Sequence, residues 1–103
     1  MVLRTAGTNC DYETVHALEK VGFDVDLVHV NKLIQNKGLL QDFQLISIPG
    51  GFSYGDYISS GKILANKLVY RLNHAVPEFI QNGGLVIGIC NGFQVLVKAG
   101  LLP

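Results

Sequence analysis

Gly88-Ile89-Cys90-Asn91-Gly92 holds a thiol between two glycines, directly after the apolar run Leu85-Val86-Ile87. The spacing is G-x-C-x-G, the thiol counterpart of the G-x-S-x-G turn that sets a nucleophile on a sharp strand-to-helix corner. A residue in such a corner takes strained dihedrals, so Gly88 and Gly92 are expected to be bare because strand and helix close on each other there. This geometry predicts a sulfur lifted above the edge of a sheet, with the Asn91 N–H aimed where an oxyanion would form. A second donor must come from another loop, and the glycines of Pro49-Gly50-Gly51, at the end of the apolar run Leu45 to Ile48, can provide it. The chemistry of such parts is nucleophilic attack at a carbonyl.

The bland alternative is a cysteine packed as a small hydrophobe, with glycines that serve only the contact of helix on strand. The apolar strand before Cys90, the helical pattern after it and a second glycine loop on the same edge favour the nucleophile. A helix N-terminus favours negative sulfur by about 0.3–1 kcal/mol, too little to ionise a thiol unaided, so a histidine is expected to complete the site. Of the three histidines, His16 falls in a predicted helix, His29 in a predicted strand and His74 between two helical pieces. None is assigned to catalysis.

Other motifs fail. Gly50 to Gly55 has phosphate-loop spacing, but Asp56 stands where lysine is needed. No G-x-G-x-x-G follows the first strand, and the histidines and acids suggest no metal site. Asp24 and Asp26 read as the solvated face of a strand.

The elements that must carry these residues follow from the apolar pattern. Runs of strand type alternate with helical segments and glycines fall at the joints, as in βα units around a parallel sheet. Strands are expected over Val2 to Thr5, Phe23 to Val30, Leu45 to Ile48 and Leu85 to Ile89. Helices are expected over Asp11 to Val21, around Ile63 to Arg71, Val76 to Gln81 and Asn91 to Ala99. Asn31 to Phe43 is weakly patterned, with room for a short helix. The last strand is apolar at nearly every position, the pattern of a parallel strand covered on both faces. Together these predict a doubly wound, mostly parallel, flavodoxin-like α/β sheet of order 2-1-3-4, with the Pro49 to Tyr57 loop and Cys90 at its carboxyl edge.

Composition bounds the rest. A chain of 103 residues fits one small domain able to bury roughly two thirds of its unfolded surface. Eight basic and eight acidic residues cancel without a basic cluster, which argues against nucleic acid as partner. No apolar stretch approaches a membrane span and Met1-Val2-Leu3-Arg4 lacks the layout of a secretory signal, so a cytoplasmic protein with reduced Cys10 and Cys90 is expected.

The segments Thr8 to Thr14 (TNCDYET), Pro49 to Tyr57 (PGGFSYGDY), Gly61 to Leu68 (GKILANKL) and Gly88 to Leu96 (GICNGFQVL) resemble the class I glutamine amidotransferase subunits of phosphoribosylformylglycinamidine synthases. The resemblance implies that Cys90 attacks the side-chain amide of glutamine, that the N–H groups of Gly51 and Asn91 form the oxyanion hole, and that Gln94, Gly50 and Phe52 shape the glutamine pocket. It gives Cys10 no catalytic role and implies no metal and no cofactor on this chain. ATP and Mg²⁺ belong to a partner, a formylglycinamide ribonucleotide synthetase subunit, which a small third subunit can join.

The same resemblance places the family's histidine and glutamate well after the nucleophile. By that comparison residues 1–103 are the front portion of one amidotransferase domain, truncated before its general base. Negligible glutaminase activity is expected of them alone, and self-association through the unpaired edge beside Leu85, Val86 and Ile87. Two other readings are a flavodoxin-like cysteine hydrolase of the intracellular peptidase type, which would carry histidine at the position of Asn91, and a non-catalytic interaction module.

Overall fold

Val2–Arg4, Leu27–His29, Leu45–Ile48 and Leu85–Gly88 form strands β1 to β4 of one parallel sheet, in the expected order β2-β1-β3-β4. The structure is a computed structural model that describes residues 1–56, 61–72 and 74–102. Tyr57, the last residue of the expected Pro49 to Tyr57 loop, and Pro103 lie outside the described residues. Val2 pairs with Leu27 on one side and Ser47 on the other, and β3 runs in register with β4 from Leu45↔Leu85 to Ile48↔Gly88. Every residue of β3 is buried, Ser47 included, as its central position requires.

The helices are α1 (Asp11–Lys20), α2 (Val30–Gln35), α3 (Lys62–Asn66), α4 (Ala75–Gln81) and α5 (Asn91–Lys98). A π-helical turn over Lys67–Arg71 extends α3, and a 3₁₀ turn over Lys37–Asp42 links α2 to β3. Leu3, Ile46 and Ile48 face Leu33, Leu64, Leu68, Phe79, Val95 and Leu96 in one buried cluster to which α1 contributes nothing. Val2 is equally buried but outside that cluster. The chain thus packs α1 against the opposite face, as right-handed crossovers leaving β1 in two directions demand.

Three expectations change. The second strand is confined to Leu27–His29, because β1 offers ladder partners only from Val2 onward. Phe23 to Val25 run ahead of the start of β1, and of this alternating segment the Asp26 carbonyl alone meets β1, accepting from the Val2 N–H at 2.8 Å. Gly22, at φ 102°, ends α1, and the Phe23 N–H turns back onto the Leu18 carbonyl. Val30 already opens α2, whose first turn is capped by His29: its Nδ1 accepts from the Asn31 N–H at 3.1 Å. The first strand stops at Arg4, since Thr5 enters a turn closed by Thr8 N–H to Thr5 C=O at 3.1 Å and Thr5 N–H to Thr8 Oγ1 at 3.1 Å.

The third change concerns β4, which was expected to be covered on both faces. Leu85 is 65% and Ile87 44% exposed, while Val86 and Gly88 turn toward α5. β4 is the edge of the sheet, and among the described residues no element lies over the face that Leu85, Ile87 and Ile89 share. No helix of the described residues is long and apolar enough to cross a membrane.

Helix α5 carries the packing that holds the cysteine corner. Val95 and Leu96 are buried while Phe93 and Val97 face outward. Leu96→Ala is expected to cost about 2–5 kcal/mol, whereas Val97→Ala, one position on, should stay within about 0.5 kcal/mol. Urea unfolding followed by circular dichroism measures both.

Candidate active site

Cys90 stands between β4 and α5 at φ 54°, ψ −110°. This combination lies outside the left-handed helical well as well as the common regions and costs of order 1–3 kcal/mol. The thiol is exposed at the carboxyl edge of the sheet. The flanking glycines have steric causes. A Cβ on Gly88 would come within 2.6 Å of the Gly92 carbonyl oxygen and 2.7 Å of Leu96 Cδ1, and one on Gly92 would overlap the Ile48 carbonyl oxygen.

The loop after β3 passes directly beside this corner. A Cβ on Gly50 would stand 3.4 Å from Cys90 Cβ, so the loop passes with room for no more than a methyl between it and the cysteine. Gly51, at φ 119°, is packed so closely that a Cβ would strike the Asn9 N–H and the Gly7 carbonyl. Its own N–H donates to no acceptor among the described residues. The turn after β1 lashes the loop in place: Asn9 N–H to Gly50 C=O at 2.9 Å, Phe52 N–H to Gly7 C=O at 2.9 Å and Tyr54 N–H to Ala6 C=O at 2.7 Å. Tyr54 and Gly55 both take left-handed dihedrals, and Lys67 Nζ sits 4.8 Å from the centre of the Tyr54 ring, a cation–π contact.

The side chain of Asn91 had no assigned role in the sequence, yet it is buried. Its Oδ1 accepts from the Ser53 N–H at 3.1 Å and its Nδ2 donates to Gln94 Oε1 at 3.2 Å. Ser53 and Asn91 are 38 residues apart, so nothing in a single sequence signals that bond. Gln94, one turn into α5, is exposed on the same edge, and Phe52 presents a ring that is 69% exposed. The structure therefore gathers Cys90, Gly50, Gly51, Phe52, Asn91 and Gln94 at one end of β3 and β4.

Cys10 shares this edge, in left-handed conformation at φ 59° before α1. The Glu13 carboxylate accepts from its thiol and pushes its pKa up; slight desolvation and the charges of Glu13, Asp11 and Cys90 act in the same direction. Cys10 is thus kept protonated, the opposite of what a nucleophile needs. Asp11 pairs with Arg4 at 3.3 Å and fastens the start of α1 to β1. The histidines stay apart from the cysteine: His16 is exposed on α1, His29 caps α2 at the opposite edge of the sheet, and His74 precedes α4. Among the described residues no His, Cys, Asp and Glu group could hold a metal ion. A cavity of about 320 Å³ lies at the other end of the strands between Leu40, Phe43, Phe79 and Gly84, away from the thiol.

The chain is similar to known proteins in sequence and fold. Residues 1–103 match the CobB/CobQ-like glutamine amidotransferase domain family along their whole length. The chain is 48% identical over 103 residues to the phosphoribosylformylglycinamidine synthase subunit PurQ of Dehalococcoides mccartyi, covering all of this chain and 40% of that protein. It is 48% identical over 101 residues to the subunit of the same name from Methanococcus maripaludis, covering 98% of this chain and 38% of the relative. A solved structure described as that of PurLQS from Thermotoga maritima superposes with a TM-score of 0.81 at 38% identity, over 99% of this chain and 44% of that one. The chain thus spans about two fifths of the length of these relatives.

Gly92→Ala tests the corner. Its new methyl meets a carbonyl oxygen of the central strand, so a loss of about 1–3 kcal/mol or more is expected, read as a lowered urea midpoint. An unchanged midpoint would contradict the close approach of α5 to β3.

Proposed function

Because the chain belongs to the CobB/CobQ-like glutamine amidotransferase domain family, we propose that Cys90 is the nucleophile of a glutaminase that supplies ammonia for amidine formation in purine biosynthesis. The observation that carries this reading is the exposed, strained cysteine set against the Gly50-Gly51 main chain. The sulfur attacks the side-chain amide carbon of glutamine, and the oxygen that gains charge accepts hydrogen bonds from the N–H groups of Gly51 and Asn91. The C–N bond breaks, a proton passes to the leaving nitrogen, and ammonia departs from a glutamyl thioester. Water then cleaves the thioester, releasing glutamate and restoring the thiol. Gln94, Gly50 and Phe52 border the space the glutamine would occupy.

No described histidine reaches Cys90, so the proton transfers need a base from outside these residues. The relatives, which have more than twice this length, make a histidine and glutamate in the remainder of the domain the natural source. The relatives are named as subunits of phosphoribosylformylglycinamidine synthase and the solved neighbour as a PurLQS assembly. By that kinship the ammonia goes to a cytoplasmic synthetase partner that holds ATP and Mg²⁺ and converts formylglycinamide ribonucleotide to its amidine, with a small third subunit in the complex. The rival peptidase reading is weakened by Asn91 at the position where that group has histidine.

A chloromethyl ketone analogue of glutamine is expected to alkylate Cys90, its thiolate displacing chloride, while peptide aldehydes leave it free. Mass spectrometry locates the adduct, and Cys90→Ser should abolish it; labelling by the aldehyde instead would favour the peptidase. Glutamine turnover by the 103-residue chain should be negligible, and a normal rate in an ammonia-release assay would refute the need for an outside base.

The open edge of β4, with Leu85 and Ile87 exposed, is expected to drive self-association of this chain at high concentration. A monomer in sedimentation velocity across the concentration range would contradict that expectation.

A further inference from the structure

The loop that carries Gly51 is fixed from two sides by different means. Toward β1 it is held by main-chain hydrogen bonds to Ala6, Gly7 and Asn9. Toward α5 the carboxamide of Asn91 bridges it: Ser53 N–H to Oδ1 at 3.1 Å, buried. A main-chain N–H can only donate, so the orientation of the amide is determined: oxygen toward Ser53, nitrogen toward Gln94. The Nδ2 donor then fixes Gln94 Oε1 at 3.2 Å, which leaves the Gln94 amide nitrogen directed elsewhere. One side chain, itself 3% exposed, thus sets both the loop and Gln94 relative to the helix whose N-terminus bears the nucleophile.

We propose that the Asn91 side chain is a positioning residue: through Ser53 it sets the spacing between the Gly51 N–H and the Cys90 sulfur, and through Gln94 it orients the contact to the glutamine substrate. This role is distinct from that of the Asn91 main-chain N–H, and it rests on the glutaminase reading above. Its chemical logic is that the two functions of a carboxamide separate. The acceptor governs the oxyanion site and so the rate of the covalent step. The donor governs substrate orientation and so the concentration at which that step saturates.

The test compares two electrophiles on the 103-residue chain: the glutamine chloromethyl ketone, which needs the pocket, and iodoacetamide, which needs only the thiol. Asn91→Ala should lower the ratio of their limiting rates by about tenfold, as expected for a donor displaced by a fraction of an ångström. Asn91→Asp keeps the acceptor for Ser53 and loses the donor. Its ratio of limiting rates should remain within about twofold, while its half-saturating ketone concentration rises as it does in Gln94→Ala, with the two substitutions non-additive when combined. Ratios and half-saturation equal to wild type in folded Asn91→Ala and Asn91→Asp would overturn the proposal. Should Asn91→Ala not fold, the isosteric Asn91→Asp decides through its half-saturation. Wild-type Cys90 that reacts with iodoacetamide but never with the ketone would instead refute the glutaminase reading itself.

Discussion

The approach of main chain to main chain at the Cys90 corner is the constraint on which the rest depends. Helix α5 lies so close to β3 that position 92 has no room for a methyl beside the Ile48 carbonyl, and position 88 none beside Gly92 and Leu96. That closeness forces Cys90 into φ 54°, ψ −110°, a conformation that costs of order 1–3 kcal/mol against a domain stability of about 5–15 kcal/mol. Burial of Val95 and Leu96 beneath the corner offsets it, since each apolar side chain removed from water contributes about 1.5–3 kcal/mol. The strain is held by packing directly under it, and its product is a thiol that points away from the core.

Around that corner the structure divides labour between backbone and side chain. Glycines at 50 and 51 let the loop after β3 pass beside the cysteine and pack closely on the turn after β1. Main-chain bonds to Ala6, Gly7 and Asn9 tie the loop to the turn after β1. The buried Asn91 amide ties it to α5 through the Ser53 N–H. Cys10, on the same edge, is held protonated by Glu13 and its acidic neighbours, and its left-handed backbone differs from the strained corner at Cys90.

The outer strand explains a different feature. β4 is anchored to β3 through four register pairs and to α5 through Val86 and Gly88, which suffices to place Gly88 and therefore the corner. Its other face leaves Leu85, Ile87 and Ile89 exposed. A strand with an apolar face and an unpaired ladder edge is stable only while one side is well packed, and it invites pairing on the other.

Much of this was legible in the chain. The βα rhythm, the limits of the third strand and the placing of Cys90 between strand and helix follow from apolar periodicity and from glycines at turns, which are local properties of the sequence, and the order β2-β1-β3-β4 follows from the doubly wound class that this rhythm implies. Tertiary structure decided the rest. Residues 23–25 alternate like a strand but lie ahead of the start of β1, and β4 reads as fully covered but lies at the edge, because pairing and coverage depend on what stands beside a segment. The G-x-C-x-G spacing, taken with the apolar strand before it, the helical pattern after it and a second glycine loop on the same edge, marked the strand-to-helix corner that Cys90 occupies. The tie between Asn91 and Ser53, joining residues 38 positions apart, exists only because β3 and β4 are neighbours, and a contact made by strand order leaves no trace in the spacing of residues along the chain.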